Sequence, residues 1–192
     1  TMALNLFQDN YYLYAAEDIF GLGVYDADLN FVTRFAPAGS HAYGVWSDGS
    51  HVYVANGYDG INVYSIEPTT NTFTNTSTYV DVNSAAILDV WGDDNFIYSA
   101  NMSGGVNVYS TSGGTLTLLA NHIESTQSSH YAYEVWSKES YLFVANYAGG
   151  LLAYGVNQNN GSLNLLASDS ARYDAIAPAV DVLGDSSDFV YT

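Results

Sequence analysis

The residues best suited to chemistry stand just ahead of repeated tryptophans. His41 in SHAYGVW and His130 in SHYAYEVW precede Trp46 and Trp136, and Glu134 lies two residues before Trp136. An imidazole beside a carboxylate is a minimal set for general base catalysis, because the carboxylate fixes the ring while the other nitrogen takes a proton from water. His41, His130 and Glu134 are therefore the candidate base and orienting groups for a hydrolysis. No G-x-S-x-G, H-E-x-x-H or Ser/His/Asp set in a supporting context accompanies them, so the activated nucleophile of a covalent route is missing. His51 and His122 have no repeated counterpart and read as surface residues.

A second constellation is acidic. The residue two before each tryptophan place is Asn5, Gly44, Asp89, Glu134 and Asp181. If the strands that begin there line one axis, Asp89, Glu134 and Asp181 converge on a rim, and calcium is the metal that such hard oxygen ligands would take. The competing reading is that these side chains cap solvated strand ends. Ser47 to Gly49 with Asp93, Asp94 and Asn95 lacks the spacing of an EF-hand loop, so turn chemistry accounts for it. The chain has no cysteine, which removes disulfides and thiolate metal sites together.

What positions these groups is a repeat. GVWSDGSHVYVANGYDGINVYS from Gly44, DVWGDDNFIYSANMSGGVNVYS from Asp89 and EVWSKESYLFVANYAGGLLAYG from Glu134 follow one another at 45-residue intervals. A copy from Asn5 with a shorter outer loop and a partial one from Asp181 extend the frame. Within the second copy, the β-rich runs Tyr43 to Ser47, His51 to Ala55, Ile61 to Ile66 and Phe73 to Val82 are separated by turn residues, and no stretch carries a helical period. Gly21, Gly60, Gly105 and Gly150 recur at one turn, which predicts a backbone with positive φ there. Four strands per unit of this length specify an all-β fold of β-propeller blades. The expected blades are about 3–41, 42–86, 87–131 and 132–178, followed by the first hairpin of a fifth in 179–192. On this reading the tryptophans pack between blades. An open edge after that hairpin suggests a piece of a longer protein, or strands completed by a second copy.

Composition narrows the partners. Of 192 residues only three are Lys or Arg, against 20 Asp and Glu, and the net charge is −17. Nucleic acid is excluded as a partner, since phosphate neutralisation needs clustered Lys and Arg, and anionic membrane surfaces are disfavoured likewise. No apolar run is long enough to span a bilayer. Few lysines and many Asn, Ser, Thr and Gly suit an extracellular or surface protein. Asn75, Asn101 and Asn160 open N-x-S/T triplets.

Segments such as HVYVANGYDGINVYSIE and YLFVANYAGGLLAYGVNQNNGSLNLLAS resemble the YVTN and LVIVD repeat propellers, and the second also resembles blades of the lactonase-like seven-bladed group. The YVTN and LVIVD resemblance implies surface-layer, adhesion or scaffolding roles. The lactonase-like resemblance implies a site of convergent charged and histidine residues at the channel mouth. The expectation is a non-enzymatic extracellular module that binds a protein, a glycan or its own copies through variable loops, without a cofactor unless calcium occupies the carboxylate rim. The alternative is a lactone or ester hydrolase using His41, His130 and Glu134.

Overall fold

The structure, a computed structural model, describes residues 2–36, 41–80, 85–123, 130–168, 179, 181–184 and 190–191. It is all-β and built of antiparallel propeller blades. β1 (Asn5–Gln8), β2 (Leu13–Ala16), β3 (Leu22–Tyr25) and β4 (Phe31–Phe35) form the first sheet in chain order. The second is β5 (Gly44–Ser47), β6 (His51–Ala55), β7 (Ile61–Glu67) and β8 (Thr72–Tyr79). The third is β9 (Asp89–Gly92), β10 (Ile97–Ala100), β11 (Val106–Ser112) and β12 (Thr115–His122), and the fourth β13 (Glu134–Lys138), β14 (Tyr141–Ala145), β15 (Leu151–Val156) and β16 (Leu163–Ser168). A hairpin of β17 (Leu183–Gly184) and β18 (Val190–Tyr191) follows. The chain divides into two compact units, residues 1–90 with 111–116 and residues 91–110 with 117–192.

The strands are apolar on consecutive residues because both faces of a blade are covered. In the first unit Tyr12, Tyr14, Leu22 and Val24 meet Val45, Val52, Val54 and Tyr64 in one core, with Phe35 and Tyr64 ring centroids 4.7 Å apart. Trp46 packs there on Phe7 and Tyr53, at 6.1 and 5.6 Å. In the second unit Tyr98, Val106 and Val108 meet Val135, Val144, Leu152 and Tyr154, and Trp91 packs against them. Trp136 differs from the expectation of packing between blades. It is only half-buried, stacked on Phe143 at 5.7 Å, and borders an open groove with Lys138, Tyr141 and Leu166.

Two devices fix the ends of the strands. The expected glycines do have positive φ, from 69° at Gly150 to 88° at Gly60. A Cβ at Gly21, Gly60 or Gly105 would also strike the carbonyl oxygen of Phe35, Tyr79 or His122, the last residue of that blade's outer strand. The second device ties each blade to the next. Asp18, Gly57, Met102 and Tyr147 adopt the left-handed conformation, with φ from 41° to 59°, and form isolated bridges to Ala42, Ile87, Ala132 and Ala179. Each bridge exchanges two backbone hydrogen bonds, such as those of 3.0 Å between Met102 and Ala132.

Candidate functional site

The loops that carry these bridges also carry the histidines. In the first unit His41 Nδ1 lies 2.7 Å from Asp18 Oδ1, and its ring stacks on Tyr43 at 6.1 Å and 17°. Asp18 thus takes the orienting place that the sequence suggested for Glu134. Its φ of 52° turns it into that position. Burial, followed by the Asp18 carboxylate and Tyr58, pushes the Tyr43 phenol above its ordinary value. Beside this pair Glu17 is buried, ion-paired with Arg34 and accepting a 2.9 Å hydrogen bond from the Tyr25 hydroxyl. That hydrogen bond is the main reason the Tyr25 phenol is raised. Arg34 also sits over the Phe31 ring at 5.4 Å.

In the second unit His130 lines a cavity together with Ser103, His122, Asn146 and Tyr154, floored by Val144 and Leu152. Its free volume of about 10 Å³ holds roughly one water molecule. His122, which the sequence suggested was a surface residue, is half-buried and meets the Tyr154 ring edge to face at 4.9 Å and 69°. Outer strand β12 delivers it, Asn146 directly follows β14, and the loop entering β13 brings His130. Asn146 is 4% exposed, and its Nδ2 has no hydrogen-bond partner among the described residues. Neither His122 nor Asn146 was legible as a site residue. The asparagine repeats in register with Asn56 and Asn101 and so reads as scaffold.

The carboxylates have other occupations. Glu134 is not part of the cavity lining, and its Oε2 accepts a 3.0 Å hydrogen bond from the Val182 backbone, tying β13 to the start of the next blade. Asn5 does the same with Oδ1 and the Val45 N–H, at 3.3 Å. Asp89 is buried, and its carboxylate fills the space a side chain at Gly44 would need. Asp181 is exposed. Among the described residues no three His, Cys, Asp or Glu side chains gather as a metal-holding group. Asp93 Oδ1 caps the Asn95 and Phe96 N–H groups, both at 2.8 Å, so that acidic stretch is turn chemistry.

Comparison with solved structures shows the fold. A Bacteroides uniformis protein assigned to the 6-phosphogluconolactonases aligns with a TM-score of 0.77 at 15% identity, over 95% of this chain and 60% of its own. The periplasmic gluconolactonase of Pseudomonas aeruginosa aligns with a TM-score of 0.75 at 18% identity, over 88% of this chain and 57% of its own. The computationally designed Ika4 protein aligns at 0.62 and 11% identity, over 82% and 92% respectively. This chain therefore spans about three fifths of the two natural proteins. No curated protein matches it in sequence. The profile of the lactonases with a 7-bladed β-propeller does match, over residues 44–178, a stretch that includes every residue of the His122, His130 and Asn146 cavity. That match overturns the expectation of a non-enzymatic binding or structural module, which rested on a repeat that describes the blade and is silent on what the loops do. By it, the chain belongs to the family of 7-bladed β-propeller lactonases.

Proposed function

We propose that the protein hydrolyses a lactone seated at the mouth of the second unit's cavity, whose one-water volume takes the carbonyl oxygen and not the whole ring. The observation that carries this reading is the placement of His122, His130 and Asn146 on one cavity inside the family-matched stretch. Ring opening needs a water deprotonated as it adds to the carbonyl carbon, a donor for the resulting oxyanion, and a proton for the departing ring oxygen. One imidazole of the His122 and His130 pair takes the proton from water and returns it to the alkoxide as the C–O bond breaks, giving a hydroxy acid. The assignments of the two natural structural relatives, as 6-phosphogluconolactonase and gluconolactonase, support a sugar-derived lactone.

The test is acid release from δ-lactones followed by pH-stat. His130→Ala and His122→Ala are expected to lower kcat, the one that serves as base by about 10² to 10⁴-fold. A full rate in both variants would remove the cavity from the reaction. A second reading places the base at His41, on its 2.7 Å contact with Asp18, and a loss confined to His41→Ala and Asp18→Asn selects it. The scarcity of Lys and the likeness of the blades to YVTN and LVIVD repeats support work outside the cell or at its surface.

A further inference from the structure

The position held by Asn146 recurs in every blade, as Glu17, Asn56, Asn101 and Asn146. Each is buried, at 3 to 5% exposure in three cases and 0% in Asn101. In three of the four the side chain is engaged within its own blade. Glu17 holds Arg34 and Tyr25, Asn56 Nδ2 donates to the Val54 carbonyl at 3.1 Å, and Asn101 Oδ1 accepts from the Ser99 hydroxyl at 2.5 Å. Asn146 has the same backbone setting, with its N–H on the Gly150 carbonyl at 2.9 Å and its carbonyl taking the Gly149 N–H at 2.7 Å. Its amide nevertheless leaves Nδ2 buried without a partner. The cause is local. A Cβ at Gly149 would collide with that Nδ2, whereas the second blade has Asp59 at the same place; the third has Gly104 there, but it also has Ser99, which holds Asn101, where the fourth has Val144. With no side chain three residues on and a valine in place of that serine, the amide takes up neither the Asn56 nor the Asn101 arrangement.

A buried amide donor without an acceptor is costly in a folded protein, and such groups are rare unless something enters to satisfy them. Here the residue lines the cavity that also receives His122 and His130. We infer that Asn146 is a substrate-binding residue of this site, its freed side-chain amide donating to the carbonyl oxygen of the lactone and to the oxyanion that forms from it. The inference rests on the lactone-hydrolysis reading for its chemistry, and on the comparison of four equivalent positions for its choice of residue. Neighbouring groups fit the role. Serine, histidine and tyrosine side chains supply further polar contacts, and Val144 and Leu152 form an apolar floor beside them.

The purified protein is assayed with δ-lactones as wild type, Asn146→Asp, Asn146→Ser and Gly149→Ala, with Asn56→Ala as the scaffold comparison. Asn146→Asp keeps the shape and puts an acceptor carboxylate where the donor stood, so kcat is expected to fall by tenfold or more, with a lower melting temperature from the unpaired buried charge. Asn146→Ser, which retains a donor, is expected to recover part of that loss. Gly149→Ala pushes the amide out of place and should lower kcat as well. Asn56→Ala should lower the melting temperature and leave kcat alone. Separately, the side-chain ¹H–¹⁵N amide signals of Asn146 are followed while gluconate, a stable hydroxy acid product, is titrated in. A shift of the Asn146 signals with an inactive wild type would retain the binding residue and defeat the lactonase reading. Wild-type rates in Asn146→Asp, or unmoved Asn146 signals in either case, would overturn the inference.

Discussion

Tyr14, Tyr53 and Tyr98 are fully buried, a place where a phenol must find an acceptor. Each finds the aspartate five residues before it. Tyr14 donates to Asp9 Oδ2 at 2.9 Å, Tyr53 to Asp48 Oδ2 at 3.0 Å and Tyr98 to Asp93 Oδ2 at 2.6 Å. The other oxygen of the same carboxylate caps the hairpin turn, as Asp9 Oδ1 does for the Tyr11 and Tyr12 N–H groups. One carboxylate thus closes a turn and satisfies a buried hydroxyl. The fourth blade confirms that the two go together, since Lys138 replaces the aspartate and Phe143 the tyrosine. Phe143 has no hydroxyl to satisfy, so the acid is not required. Removing the hydroxyl elsewhere leaves the acid without its donor. Tyr98→Phe is expected to cost about 1.5 to 3 kcal/mol, the range for a hydrogen bond to a charged group, measured by urea unfolding. A cost near zero would show that water replaces the tyrosine at Asp93 without loss.

Strands and hairpins were legible in the sequence because turn chemistry and β-rich runs alternate in every copy. The read boundaries in the second blade differ from the observed strands by no more than a few residues. The glycine turns were legible too, since glycine recurs at that one position in all four blades and φ is positive at each. The bridges between blades were not. Their left-handed residue is Asp18, Gly57, Met102 or Tyr147, with no shared chemistry, and the conformation is imposed by the two hydrogen bonds of each bridge. Glycine turns themselves combine two effects that can be separated. Gly113 has φ of 56° with nothing within 4 Å of a Cβ, while Gly105 has φ of 75° and faces the His122 carbonyl oxygen. Gly113→Ala carries conformational strain alone and should cost about 1 kcal/mol. Gly105→Ala adds a collision with the backbone of β12 and should cost about 3 kcal/mol. Equal losses in thermal unfolding would mean that the outer strand gives way freely.

At the scale of the molecule, the repeat explains both what the sequence conveyed and what it concealed. His130 stood out because it shares its place ahead of a tryptophan with His41, whereas Asn146 was hidden inside a pattern common to every blade. Asn146 differs from its scaffold equivalents in pairing Gly149 three residues on with Val144 two residues before, where Asn101 has Gly104 with Ser99 and Asn56 has Asp59 with Val54. A non-enzymatic role followed from counting motifs that build blades, and the proposed site lies in the few departures from them. The repeat also makes one property collective. Burial, joined by the facing aspartates, pushes the Tyr14 and Tyr98 phenols well above their ordinary value, and burial does the same at Tyr53, where the Thr111 hydroxyl opposes it. A phenol whose folded pKa is raised stays neutral in the native state while its unfolded form ionises from about pH 10. Its contribution to stability is therefore complete below that value and is lost as pH climbs toward the folded pKa. Three such groups act in the same direction, against a chain already carrying a net charge of −17. The melting temperature is expected to change little from pH 8 to about pH 9.5 and to fall steeply above about pH 10. Over the same range, tyrosinate absorbance near 295 nm should show the exposed phenols ionising first, with a final fraction appearing only as the circular dichroism of the sheets disappears. Ionisation of all 18 tyrosines in a single step near pH 10, with the sheets intact, would show that the aspartate-held phenols are open to solvent and that the blades do not seal them.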